Sequence, residues 1–218
     1  MEKILNINKP KGITSFDVVE HIRDNFFRSE KVGHAGTLDP MAEGVLIICV
    51  GKATKSVSSF VECEKEYIGE ITFGIATDSF DATGKVLSTV ENAEISVDEV
   101  RKVFLSFEGE SEQMPPMFSA LKHKGRHLYD FAREGKTIER KARKICVKSF
   151  ELVNFTKDKF SKAEFRVVCS KGTYIRTLAE ESGKQLGCGA HLSKLVRTRI
   201  GNFLIEDSIK LDELKWKL

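Results

Sequence analysis

Proline, cysteine and long apolar runs are all scarce in this chain, and each scarcity excludes a class of protein. Four prolines in 218 residues leave no Pro-rich linker. The five cysteines, Cys49, Cys63, Cys146, Cys169 and Cys188, are odd in number, scattered, and form no C-x-x-C pair. That argues against a disulfide framework or a zinc ribbon and for free thiols in a reducing compartment. No run approaches the roughly 20 apolar residues needed to cross a bilayer. The opening stretch MEKILNINKPKG lacks the apolar centre of a signal peptide. A cytoplasmic protein with no membrane partner is therefore expected. Internal repeats and low-complexity segments are lacking too. What is present, 41% hydrophobic and 31% charged residues with a net charge of only +3, is the composition of an ordinary globular chain.

Familiar catalytic signatures are also missing. Gly44 and Gly51-Lys52 have six residues between the glycines where a phosphate-binding loop has four, and Ala53 occupies the Ser/Thr position. His123 and His127 lack the glutamate of a zinc-protease helix, and Cys188 with His191 is a single pair where a zinc site needs more ligands. Neither G-x-S-x-G nor G-x-G-x-x-G occurs. No cofactor and no metal are expected.

Elements can be read from spacing. Thr14 and Asp17 form a capping box ahead of a helix that should turn Phe16, Val19 and Phe26 inward. Ser96 and Glu99 form a second box, opening a helix with Val97, Val100, Phe104 and Phe107 inward and Gly109 beyond its end. Tyr174 to Leu186 reads as a third helix, with Gly187 past its end. Gly44 to Val50 is a continuous apolar run suited to a strand buried on both faces. Tyr67, Gly69, Ile71, Phe73 and Ile75 alternate with mostly polar neighbours, as in a half-buried strand. Ile145 to Phe155 and Ala163 to Cys169 also read as strands. Strands and helices without regular βα alternation predict an α+β fold with a mixed, mostly antiparallel central sheet flanked by helices and loops. One domain over 1–218 and a monomer are expected.

Three segments carry chemistry. Gly33 to Gly44 (GHAGTLDPMAEG) is a loop leading directly into the buried run, a rigid support for a reactive group. Within it Pro40 restricts Asp39 to extended backbone, and His34 shares the loop. On these grounds alone an Asp-Pro is more often an ordinary turn. Ser170 to Thr177 (SKGTYIRT) places Arg176 in the first turn of a helix, where the dipole disfavours a cation. Arg176 therefore either serves a carboxylate or is a solvated surface arginine. From Pro115 to Lys144 there are nine Lys/Arg, including Lys122, Lys124 and Arg126, against three acids. This excess of six on a chain of net +3 makes a concentrated basic patch suited to a phosphate backbone. With so few acidic partners and apolar anchors, it is expected to order when RNA binds. The acids Asp78 and Asp81, in TDSFDATG, read as a polar turn.

Taken together, NKPKGITS at Asn8, GHAGTLDPMAEG at Gly33, KEYIGEITFGIATDSFDATG at Lys65, MFSALKHKGRHLYDFAREG at Met117, SKGTYIRTLAEESG at Ser170 and CGAHLSKLVR at Cys188 resemble the bacterial tRNA pseudouridine-55 synthases of the TruB type. Six stretches in the family's order make the resemblance specific. It implies a pseudouridine-synthase fold and an enzyme that isomerises uridine in the T stem-loop of tRNA without cofactor or metal. Asp39 matches the catalytic aspartate, Tyr67 the tyrosine stacking on the target base, and Arg176 the arginine that pairs with the aspartate. His34, Tyr174 and Leu195 match residues lining the uridine site. Lys9 and Pro10 match a motif that chiefly supports that site. The carboxylate would act as a nucleophile on sugar or base, or remove a ribose proton. Phe118 departs from the tyrosine often found before SALK. Many members continue into a small RNA-binding domain of the PUA type, for which little sequence is left here. A non-catalytic RNA-binding module and a guide-RNA-dependent synthase are the competing expectations.

Overall fold

The computed structural model of the protein describes residues 1–216, with side chains through Leu214. In chain order the strands are β1 (Glu2–Lys9), β2 (Val32–Ala35), β3 (Glu43–Gly51), β4 (Lys65–Phe73), β5 (Ile75–Thr77), β6 (Val86–Thr89), β7 (Gly109–Gln113), β8 (Lys122–His123), β9 (Arg126–His127), β10 (Arg143–Thr156), β11 (Lys162–Cys169), β12 (Ala190–Ile200), β13 (Phe203–Leu204) and β14 (Ile209–Lys210). The helices are α1 (Ser15–Phe26), α2 (Val57–Glu62), α3 (Val97–Ser106), α4 (Leu128–Arg133) and α5 (Ile175–Gln185). The fold is the expected α+β arrangement. β1–β3, β2–β3, β10–β11, β10–β7 and β12–β13 pair antiparallel, and β1–β14 and β3–β12 pair parallel. No helix among the described residues is long and apolar enough to cross a membrane. Contacts divide the chain into two compact units, Met1–Ile68 with Lys194–Leu218, and Gly69–Ser193.

In the first unit the strand order is β14-β1-β3-β12-β4, with β2 also on β3. Strand alternation divides the core. Leu5, Ile7, Leu46, Ile48 and Val50 meet Val18, Val19 and Ile22 of α1 on one face. Val45, Ile47, Cys49, Ala35, Ala53 and Ile200 pack on the other. β3 is thus buried on both sides, as its unbroken apolar run predicts. Each fully buried aliphatic side chain contributes about 1.5–3 kcal/mol. The capping box of α1 forms as read, Thr14 Oγ1 accepting from the Asp17 amide at 3.0 Å and Asp17 from the Thr14 amide at 2.7 Å. Its inward face differs from the expectation. Ser15, Val18, Val19 and Ile22 are buried, whereas Phe16 is 58% exposed. Two residues before Val18 is roughly 200° of helical turn, which carries Phe16 to the far side.

The second unit has the order β4-β11-β10-β7. Helix α3 covers it, opened by the Ser96–Glu99 box. Phe104 stacks on Phe150 at 4.0 Å between centroids, and Phe165 meets Phe150 edge-on at 5.4 Å. Such pairs add about 0.5–1.5 kcal/mol each beyond burial. The expected strand from Tyr67 to Ile75 is interrupted at Gly74, which takes φ +86 and donates to the Gly189 carbonyl; Ile75 then starts β5. The segment 115–144 holds more internal partners than its charge suggests. Leu128 is 3% exposed, and Glu134 receives both Arg126 and Lys136. The Arg126 guanidinium also lies over the Phe131 ring at 4.6 Å, and His127 stacks on Tyr129 at 5.0 Å.

Two long strands, β1 and β12, go beyond the sequence expectations. Their buried positions include Lys9, His191 and Arg197, which break the apolar alternation by which strands are recognised. Register sets Gly44 of β3 opposite both Lys9 of β1 and Arg197 of β12. At φ +104 a Cβ on Gly44 would overlap the Arg197 backbone oxygen. Gly44→Ala should therefore destabilise by about 3 kcal/mol or more, lowering Tm by roughly 10 °C. Thermal unfolding monitored by circular dichroism checks this, and an unchanged Tm would show that the strands can part there.

Candidate active site

The loop bearing Asp39 connects β2 to β3 and is pinned at nearly every residue. Arg197 is 1% exposed, and its guanidinium donates to three backbone carbonyls: Val45 at 2.7 Å, Gly36 at 2.9 Å and Thr37 at 3.5 Å. Ser15 Oγ accepts from the Leu38 amide at 2.8 Å and donates to the Leu38 carbonyl at 3.1 Å. The Gly12 amide donates to the Pro40 carbonyl at 2.8 Å, and the Ala42 amide to the Asp39 carbonyl at 3.0 Å. Leu38, Met41 and Ala42 are buried around Asp39. Its backbone has little freedom left, which is what a reactive carboxylate requires of its support.

Lys9, paired with Gly44 at the end of this loop, has no exposed surface. Its ammonium donates to the Pro10 carbonyl at 2.8 Å and the Ile13 carbonyl at 2.7 Å, holding the turn into α1. Burial pushes its pKa down to about 8, against a smaller upward pull from Asp39 and then Glu43. The coupling places Lys9 and Asp39 in one electrostatic environment. Tyr67 is 7% exposed on β4, two residues from Lys65 and so on the same strand face. Lys65 and Arg197 flank Gly36: a Cβ there would lie 3.6 Å from each side chain. The face of β4 that bears Tyr67 is therefore the face at the Asp39 loop. Leu195, 5% exposed, shares a strand face with Arg197 by the same alternation. His34 in β2 is held below its ordinary pKa by burial, with a smaller effect from Arg197, which favours the neutral imidazole. Its Nδ1 is buried without a hydrogen-bond partner among the described residues. The first unit thus carries Lys9, His34, Asp39, Tyr67 and Leu195.

The second unit carries the remaining residues singled out by sequence. Arg176 is 3% exposed, which excludes a solvated surface arginine. It donates to the Ser79 carbonyl at 3.0 Å and the Phe118 carbonyl at 2.8 Å, and its Nε lies 3.7 Å from Asp81 Oδ2. Asp81 lies in the turn between β5 and β6, as read, but it is buried. It is 4% exposed and accepts from Ser79 Oγ, the Thr83 amide and Thr83 Oγ1 at 2.8, 2.9 and 2.6 Å. Tyr174 caps α5 through its backbone. Gln113, at the end of β7, donates to the Tyr174 carbonyl at 3.1 Å and accepts from its amide at 2.8 Å. Lys122 and Lys124 are exposed on the β8–β9 hairpin, whereas Arg126 pairs with Glu134. Arg197, Ser15 and Gln113 were not marked by sequence reasoning, and Asp81 was read only as a turn residue. The one legible signal was an arginine two residues from an apolar leucine in LVRTRI, which alternation would bury. No cluster of three or more metal-ligating side chains occurs among the described residues.

This fold, with an aspartate loop clamped at the mouth of a buried strand, is that of a pseudouridylate synthase. A chain of a solved Cbf5-Nop10-Gar1 complex matches with a TM-score of 0.74 and 33% identity over 97% of this chain and 53% of that one. The protein thus spans about half the length of that structure. Residues 24–175 match the TruB family pseudouridylate synthase N-terminal domain, and residues 176–218 match the tRNA pseudouridylate synthase B C-terminal domain. A tRNA pseudouridine synthase B from Clostridium kluyveri is 50% identical over 98% of this chain and 72% of its own length. One from Francisella philomiragia is 47% identical over 97% and 69%. The chain belongs to the TruB family.

Lys9 supplies a pH test of this geometry. Folded Lys9 releases its proton near pH 8, against 10.5 for an ordinary lysine. Between these values the unfolded chain binds the extra proton, so stability should rise with pH across that window. The burial penalty is present in full below pH 8. Lys9→Met should flatten the rise, which is on the order of 3 kcal/mol. Urea unfolding of both proteins between pH 8 and 10.5 measures it, and parallel profiles would contradict the burial of a charged Lys9.

Proposed function

We propose that this protein isomerises uridine to pseudouridine at position 55, in the T loop of tRNA, with Asp39 as the essential carboxylate. The reaction breaks the N1–C1′ glycosidic bond, turns the uracil, and joins its C5 to C1′. The observation carrying this reading is the immobilised Asp39 loop, gripped by Arg197 and Ser15 in a chain of the TruB family. Whether the carboxylate attacks as a nucleophile or removes a ribose proton, it must be ionised and held at a fixed distance from C1′. The target base is stacked in a folded loop and has to be flipped out. Tyr67 offers its ring to the flipped base, and Leu195 and His34 wall its pocket. Lys122 and Lys124 supply exposed charge for phosphates, and Arg126 joins them by exchanging Glu134 for a phosphate.

Asp39→Asn should keep tRNA binding and lose isomerisation, because it removes the charge while barely changing shape. The assay incubates wild type and variant with an unmodified tRNA transcript and no other RNA, then maps pseudouridine by chemical sequencing. Product at position 55 from the wild type alone is the expected result. Turnover by the variant contradicts the assignment of Asp39, and a wild type active only with an added guide RNA favours the guide-dependent alternative.

Arg176→Lys should reduce kcat by about 100-fold or more although the charge is kept. Lysine cannot reproduce a planar fork directed at two carbonyls and Asp81 together. Single-turnover kinetics checks this, and a near-normal rate would remove Arg176 from the working site.

A further inference from the structure

We propose that Phe16 is a stacking platform for an unpaired base of the substrate RNA, beside the loop that carries Asp39. The proposal rests on the uridine-isomerising reading and names a binding residue for it.

The chain has fifteen phenylalanines and three tyrosines. Among the described residues, Phe16 is the one phenylalanine or tyrosine that is largely exposed, at 58%. Isolated exposed apolar residues are common on protein surfaces and ordinarily need no explanation. The other large exposed apolar side chains here, such as Leu105, Val153 and Leu87, are aliphatic. Phe16 is thus the only described phenylalanine or tyrosine set mostly in water, and its place in the fold is specific.

Phe16 directly follows Ser15, whose hydroxyl is bonded to both the amide and the carbonyl of Leu38, the residue before Asp39. On the other flank, the Gly12 amide is bonded to the carbonyl of Pro40, the residue after Asp39. Lys11, next to Gly12, is exposed. The start of α1 therefore forms a lip along the Asp39 loop, with an exposed ring at one position and an exposed cation at another. The helix fixes the ring's direction. Burial of Ser15, Val18, Val19 and Ile22 turns Phe16 away from the core, and the Thr14–Asp17 capping box holds the first turn. An RNA strand delivering a uridine to Asp39 passes this lip. A ring face beside a cation is the combination that holds unpaired nucleotides, the ring stacking on a base and the cation meeting phosphate. A methyl or isobutyl group in water offers no such π-face.

The test measures affinity for an unmodified tRNA transcript by fluorescence anisotropy in the Asp39→Asn background, where no product forms. Phe16→Ala should raise Kd about 10-fold, Phe16→Trp should hold it within about two-fold of the parent, and Phe16→Leu should resemble alanine. All three should keep the parent Tm, since the ring is mostly in water. Parent-like binding by Phe16→Ala overturns the proposal, as does Phe16→Leu binding as well as Phe16→Trp, which would make the effect general hydrophobicity. A Tm loss in Phe16→Ala sufficient to explain the weaker binding also overturns it, assigning the ring to packing. Failure of the catalytic reading shows separately, as turnover by Asp39→Asn.

Discussion

The buried guanidinium of Arg197 is the interaction on which the site depends. A charged group at 1% exposure is tolerated only if its donors are satisfied, and the acceptors here are backbone carbonyls of Gly36, Thr37 and Val45. Those carbonyls lie on either side of Asp39 in sequence. Satisfying the arginine and fixing the loop are therefore the same event. Gly44 completes the arrangement, because only a residue without Cβ lets β3 come so close to the backbone of Arg197. Lys9 stands on the other side of Gly44 with its ammonium bonded to two more carbonyls.

The second unit uses the same device. Arg176 is buried and donates to the carbonyls of Ser79 and Phe118, with Asp81 as its acidic neighbour. The turn 77–84 and the root of the basic segment are thereby joined to the first turn of α5. The unfavourable position of a cation at a helix start is offset by these local partners. In both units a buried arginine binds backbone of segments distant in sequence. Lysine in either place would lose the geometry that lets one side chain hold two or three acceptors at once.

Much of the fold follows from local rules. Both capping boxes open helices at the residues read from their spacing, because the bonds that define them lie within four residues. The apolar run of β3 needs no partner to be recognised as buried on both faces. Phe16 shows the limit of such reading. An aromatic beside a capping box looks like core until the stripe of Val18, Val19 and Ile22 decides which side faces the sheet. The basic segment shows another limit. Its charge count is legible, but the ion pair of Arg126 with Glu134 is closed by the β8–β9 hairpin and α4, which composition does not describe.

By itself the sequence determined the α+β composition, the loop carrying Asp39, the helix carrying Arg176 and the stretches that mark the family, since each is a local pattern. Tertiary structure alone decided that Arg197 and Ser15 grip the Asp39 loop, that Asp81 faces Arg176, and that Gln113 holds the backbone of Tyr174 at the start of α5. These partners lie between 23 and 161 positions apart in the chain. Strand register and helix packing bring them together, and the free energy that selects them is the cost of leaving a buried polar group without a partner.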